Sequence, residues 1–192
     1  PPLSVLEIGC GKGALLAQLH SQGHVVEGID VDPDAIAACR TENPGLHVQV
    51  ASGEQIPFGD SVFDVVVSFD VFEHMQQTDA HLQEVRRVLR PGGRYLLQTP
   101  NKWTNIPFEL LRHWRKYGTG PLASYRSLLE DHCALHSYFE LKRRFHRNRF
   151  SIAVLDMPVV NNYFIGKVHA YLGGFGAALL KIINPDKLPM LL

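Results

Sequence analysis

Cysteine is scarce in this chain: three residues in 192, Cys10, Cys39 and Cys133, with no CxxC pair among them. That excludes a disulfide framework and a cysteine-based zinc site, and it suits reduced thiols in a cytoplasmic protein. Apolar runs long enough to span a bilayer are absent, and Pro1-Pro2-Leu3-Ser4 does not read as a signal peptide. Net charge is missing too, nineteen Lys and Arg balancing nineteen Asp and Glu. With 45% hydrophobic and 20% charged residues, the composition is that of an ordinary globular protein. A single domain over 1–192 is expected.

The zero net charge hides an asymmetry. Residues 1–101 hold six Lys/Arg against thirteen Asp/Glu, and residues 102–150 hold ten against four. The later segment could meet an anionic substrate, a membrane surface or nucleic acid. Its charges are spread along the segment, which favours a solvated helical face.

Short apolar runs alternate with amphipathic stretches through the first hundred residues, the pattern of repeated βα units. Val5 to Ile8, Val25 to Asp30, His47 to Ala51, Phe63 to Phe69 and Arg94 to Thr99 read as five strands. Ala14 to Leu19 and Asp34 to Arg40 read as helices, the second opened by Asp32 as cap and Pro33. Leu82, Val85, Val88 and Leu89 recur at helical spacing, and Pro91-Gly92-Gly93 is expected to stop that helix. Residues 102–150 read as a helical lid or substrate region, and Ser137-Tyr138-Phe139-Glu140 as a capping box opening a helix to Arg147. A sixth strand is expected at Ser151 to Leu155, within a last segment, 151–192, that ends in a helix. That helix, Asn161 to Ile183, reads as packed on the sheet, with peripheral membrane contact or dimerisation as alternatives. No seventh strand follows Ile183 and no helix precedes the first strand, so the sheet is either partial or small.

Glu7-Ile8-Gly9-Cys10-Gly11-Lys12-Gly13 joins the first strand to the first helix. Loops of this kind, at the carboxyl ends of parallel strands, line the ligand crevice of open α/β sheets. Gly9, Gly11 and Ala14 also satisfy the G-x-G-x-x-A form of the dinucleotide fingerprint, so an NAD-dependent oxidoreductase is a competing reading. Asp30 ends the second strand, where a carboxylate accepts ribose hydroxyls, which identifies a nucleoside but not which one. Glu7 discriminates better. A carboxylate inside an apolar strand needs a partner, and a cationic ligand supplies one whereas a pyrophosphate would be repelled.

The same residues carry a family resemblance. Val5 to Gly13 resembles the first motif of class I S-adenosylmethionine-dependent methyltransferases, and Gly28-Ile29-Asp30 their second. Glu54-Gln55-Ile56-Pro57-Phe58 with Ser61 to Val66, Glu73-His74-Met75, and Leu89 to Gly93 resemble later motifs of the small-molecule, ubiquinone-methyltransferase-like branch. Together they cover about residues 3–101. The resemblance implies an α/β, Rossmann-like, mostly parallel sheet with flanking helices and a helical lid insertion after strand 5. It implies S-adenosyl-L-methionine as cofactor, its methionine part held by Glu7, Gly9, Cys10, Gly11 and Gly13, its ribose by Asp30 and its adenine beside Val31. Ser52, Gly53 and Glu54 would close on the adenine edge, Ser52 standing where the family often has aspartate. Phe69 and Asp70 would face the transferring methyl. His132 falls on a family histidine and Ser137 on its capping residue, while Arg149 replaces a glycine.

The implied activity is methyl transfer to a small-molecule acceptor, at an oxygen. A hydroxyl acceptor must lose a proton, and His74, His132 and Asp70 are the candidates to take it. Asp70, Glu73 and His74 also resemble a metal-binding stretch of ubiquinone-pathway enzymes, but no metal is expected, since Glu73-His74 also occurs in relatives without one. No nucleic acid partner is expected: Ser68-Phe69-Asp70-Val71 is not an N/D-P-P-Y amino-methylation motif. A non-catalytic nucleoside-binding module is the remaining alternative. Nothing in the sequence sets an oligomeric state.

Overall fold

The computed structural model describes residues 1–102 and 133–153. The chain divides into two compact units, Pro1–Thr99 and Pro100–Leu192. In the first, β1 (Ser4–Ile8), β2 (Val25–Asp30), β3 (His47–Val50), β4 (Phe63–Phe69) and β5 (Leu89–Gln98) pair in the order β3-β2-β1-β4-β5. Every pairing is parallel, as the alternation of apolar runs and helices predicts. Val5, Leu6 and Ile8 of β1 and Val66 and Val67 of β4 are buried, which is why those strands read as continuous apolar runs.

Helices α1 (Ala14–Ser21), α2 (Pro33–Glu42) and α3 (Thr78–Val88) connect the strands. Asp32 caps α2 as expected, its side chain accepting from the Asp34 amide at 2.9 Å. Leu16, Ile36 and Cys39 from α1 and α2 pack with Val5, Val26, Val48 and Val67 in one core. On α3 the buried set is Thr78, His81, Leu82, Val85 and Val88, an i, i+3, i+4, i+7 stripe. Arg87, on its flank, donates to the carbonyls of Ile56 and Phe58 and to the carboxylates of Glu84 and Asp60. That fork holds the loop between β3 and β4 against the helix.

One boundary differs from expectation. Pro91-Gly92-Gly93 does not end α3, which stops at Val88; Leu89 is already extended (φ −72, ψ 137) and begins β5. Between Phe63↔Leu89 and Val65↔Arg94 the register slips, so the extra residues of β5 bulge outward. Among the described residues β5 lies at the sheet edge, where proline is tolerated because one side of the backbone has no ladder partner there.

In the second unit, α4 (Tyr138–Arg147) begins on the expected capping box: Ser137 N–H donates to Glu140 Oε2 at 2.7 Å, and Glu140 N–H to Ser137 Oγ at 3.3 Å. The chain approaches it extended, with Asn101 bridging His136. Of the sixth strand expected over residues 151–155, residues 151–153 form no regular element: Ser151 and Ala153 are exposed and no partner strand covers them among the described residues. The rest, together with residues 103–132 and the segment 161–183, lies outside the described residues.

At its other end α4 closes in a Schellman motif. Phe150 N–H donates to Phe145 O (2.9 Å), Arg149 N–H to His146 O (3.0 Å), and the Phe145 and Phe150 rings meet at 5.6 Å. The motif needs a left-handed residue, and that residue is Arg149, at φ +63. Arg149→Gly should therefore raise unfolding free energy in urea by about 1 kcal/mol, since only the Cβ opposes this conformation.

Candidate functional site

β1 leads on one side to β2 and β3, and its other neighbour is β4, so the order reverses between β1 and β4. A crevice opens at the carboxyl ends of strands at such a switch point. The β1–α1 turn sits there and is tied to β2: the Gly9 and Cys10 amides both donate to Ile29 O (2.8 and 3.1 Å). The Gly11 amide donates to Asp30 Oδ2 at 2.8 Å, and the Asp32 amide to Asp30 Oδ1 at 2.9 Å.

The glycines of this turn divide by role. Gly9 (φ +74) has the side chain of Val71 where its own Cβ would stand, and at Gly13 a Cβ would lie 2.5 Å from Cys39 Sγ. Both are demanded by packing as well as by φ. Gly11 (φ +52) has nothing within 4 Å of its Cβ position among the described residues. Gly11 is thus set by its backbone conformation, with open space beside it. Cys10 turns its thiol inward, 6% exposed, where burial pushes its pKa up to about 12.

Glu7 is 7% exposed, and its Oε2 has no hydrogen-bond partner among the described residues. Burial pushes its pKa up from 4.5 to about 7; the Leu16 amide works against that rise and the Asp30 charge adds to it. Val31, directly after Asp30, is 69% exposed, and Phe69, ending β4, is 37% exposed. These apolar surfaces stand at the same sheet edge as the unsatisfied carboxylate. Asp70 follows in the left-handed region (φ +53), its amide donating to Gln98 O at 3.0 Å, and His74 is exposed on the 3-10 turn Phe72–His74.

Other expected residues are engaged elsewhere. Ser52 Oγ accepts from the Glu54 amide (3.1 Å), and Glu54 Oε1 from the Gln77 amide (2.7 Å) before α3. Gly53 is buried with its carbonyl turned to α3. Glu73, only 1% exposed, accepts from Thr99 Oγ1 at 3.0 Å and is raised in pKa by burial. His132 lies outside the described residues.

A polar chain behind the crevice has no counterpart in the sequence reading. His81, fully buried on α3, bonds Gly53 O through Nδ1 and Tyr95 Oη through Nε2, both at 2.8 Å; Tyr95 Oη meets Ser68 Oγ at 2.6 Å. Burial keeps His81 neutral by lowering its pKa. A carbonyl only accepts, so Nδ1 carries the proton, Nε2 accepts from Tyr95, and Ser68 donates to Tyr95. The chain links the 52–54 loop to β4 one residue before Phe69. Apolar periodicity marks Leu82, Val85 and Val88 and passes over the histidine beside them.

Residues 6–97 match a family model described as a methyltransferase domain. That match takes in just under half of the chain, and over the same stretch the chain is similar to proteins described as S-adenosylmethionine-dependent methyltransferases. It is 37% identical over 103 residues to a "Probable S-adenosylmethionine-dependent methyltransferase" of Mycolicibacterium smegmatis, covering 54% of this chain and 40% of that protein. It is 34% identical over 107 residues to a fatty-acid O-methyltransferase of the same organism, covering 54% and 39%. The chain thus spans about two fifths of the length of these relatives. Among solved structures, an S-adenosylmethionine-dependent methyltransferase of Mesorhizobium loti superposes with a TM-score of 0.61 at 17% identity, covering 79% of this chain and 76% of that one. That likeness speaks to the fold.

The residues present fit the methyltransferase cofactor. An orphaned, buried carboxylate oxygen at the switch point suits a cationic amino or sulfonium group and opposes a pyrophosphate. This disfavours the NAD reading on the same ground that favours S-adenosylmethionine.

The raised pKa of Glu7 fixes a sign. Its folded pKa is raised, so the free protein is favoured while Glu7 is protonated and loses stability as pH climbs from 4.5 through about 7. At 1.36 kcal/mol per unit that loss is about 3 kcal/mol. Glu7→Gln should therefore raise the thermal midpoint of the free protein at pH 8 and lower affinity for S-adenosylhomocysteine about tenfold or more. Calorimetry of the wild type at pH 6.5 in two buffers should show proton release on binding. In the same assays Gly9→Ala should lose stability with the fold, whereas Gly11→Ala should stay folded and lose cofactor affinity.

Proposed function

We propose that this chain transfers the methyl group of S-adenosylmethionine to an oxygen of a small-molecule acceptor. The observation that carries the reading is Glu7, a buried carboxylate at the switch point whose Oε2 has no partner among the described residues. Glu7 and the backbone of Gly9 to Gly13 would hold the methionine part, Asp30 the ribose, and Val31 one face of the adenine. Ser52, Gly53 and Glu54 would border the adenine edge. The fatty-acid O-methyltransferase among the relatives supports an oxygen acceptor. Buried Cys10 and Cys39 thiols are consistent with a reducing, cytoplasmic setting.

The cofactor, when bound, supplies an activated methyl group. What the chain contributes is placement, for which an oriented site is worth roughly 7–11 kcal/mol of barrier. Phe69 offers apolar surface at the end of β4, and the left-handed turn at Asp70 redirects the backbone there. A hydroxyl acceptor has to give up its proton near the transfer step. Asp70 and exposed His74 follow directly on that strand and are the bases we assign to it, with His132 as the third candidate.

The test uses the cofactor before the acceptor. S-adenosylhomocysteine should raise the melting temperature and NAD should not; the reverse would sink the assignment. Cell extract incubated with methyl-labelled S-adenosylmethionine should then yield a labelled small molecule by mass spectrometry. His74→Ala or Asp70→Asn should slow that transfer roughly 10²–10⁴-fold where the residue is the base, with cofactor affinity kept. Cofactor binding without transfer to any acceptor would mark a non-catalytic module.

A further inference from the structure

We propose that α4 carries a docking surface for anionic lipid headgroups, with Phe139 as its apolar wedge. At about 100° per residue, Lys142, His146, Phe139, Arg143 and Arg147 fall in that angular order within an arc of about 140°. All five are exposed, Phe139 at 68%. The aromatic ring therefore stands in the middle of the arc, with Lys142 and His146 on one side and Arg143 and Arg147 on the other. The opposite side of the helix faces inward through Phe145, 7% exposed and packed on Phe150.

The cations on this arc are not neutralised locally. Lys142, Arg143 and Arg147 take part in no ion pair among the described residues. The helix has one acid, Glu140, which is committed to the Ser137 amide and to Lys102 at 3.6 Å. The two-thirds exposed Phe139 ring, edge-on to Tyr138 at 5.7 Å, stands at the centre of this unneutralised arc. A lipid surface uses both parts: headgroup phosphates meet the cations, and the ring enters the acyl boundary. Nucleic acid would use the charge, but a strand-tracking site stacks successive bases on several aromatics, and this arc offers one. The inference rests on α4 alone and stands whether or not the proposed activity does.

Pelleting of the full chain with vesicles tests it. At 0.1 M salt, binding is expected to phosphatidylcholine vesicles containing phosphatidylglycerol at three parts in ten, not to pure phosphatidylcholine, and to vanish at high salt. Arg143→Glu with Arg147→Glu should weaken partitioning by more than about 25-fold, about fivefold for each cation lost and further for each anion gained. Phe139→Ser should weaken it about tenfold while leaving the salt dependence in place. Both variants should keep the wild-type urea midpoint, which separates lost docking from lost folding. Equal binding to neutral vesicles, no binding to anionic ones, or a charge-reversed variant that still pellets would overturn the proposal. So would tighter binding to a single-stranded oligonucleotide than to the anionic vesicles.

Discussion

A carboxylate on the central strand of a parallel sheet has no inexpensive state, and the site is organised around that fact. Ionised Glu7 gives up its hydration, sits near the charge of Asp30, and leaves one oxygen without a donor among the described residues. Protonated Glu7 removes the charge but keeps a buried polar group that is only partly satisfied. A cationic ligand resolves both problems at once, because it restores the charge balance and supplies the missing donor. The protein therefore holds a cost at Glu7 that a positively charged group placed there would relieve.

Everything adjacent to Glu7 is rigid enough to keep that cost from relaxing away. Val71 fills the space beside Gly9 and Cys39 the space beside Gly13, so the turn cannot collapse toward the carboxylate. Asp30 fixes the turn from β2 by accepting the Gly11 amide. Behind the crevice, Ser68, Tyr95, His81 and Gly53 form a polar chain in which each proton has one consistent place. It couples β4, β5, α3 and the 52–54 loop, so the far wall of the crevice is held by hydrogen bonds as well as by packing.

How much of this was legible depended on sequence distance. Runs such as Val65-Val66-Val67 and the stripe Leu82, Val85, Val88 announce their elements because neighbours in sequence decide them. Ser137 and Glu140 announce α4 for the same reason, and the replacement of a family glycine by Arg149 marks the strained residue that closes it. Leu89 misled because apolar spacing continues through it at helical period, while its pairing with Phe63 across the sheet decides the matter. The His81 chain spans separations of 14 to 28 residues, and no local pattern encodes it. Likewise the glycine motif says that bulk is excluded, but not that Val71 and Cys39 exclude it at two of three positions.

Asp30 shows how the two halves of the crevice are reconciled. Each oxygen of Asp30 accepts one backbone amide, Oδ2 from Gly11 and Oδ1 from Asp32. An ionised carboxylate has about four lone-pair sites, so two amides leave capacity for a diol while the acid keeps holding the turn. Its neighbour Glu7 is driven toward neutrality by burial. The pair presents a hydrogen-bond acceptor on β2 and a charge sensor on β1, a few residues from the same turn. Losing Asp30 would release Gly11, the position where the turn has open space beside it among the described residues.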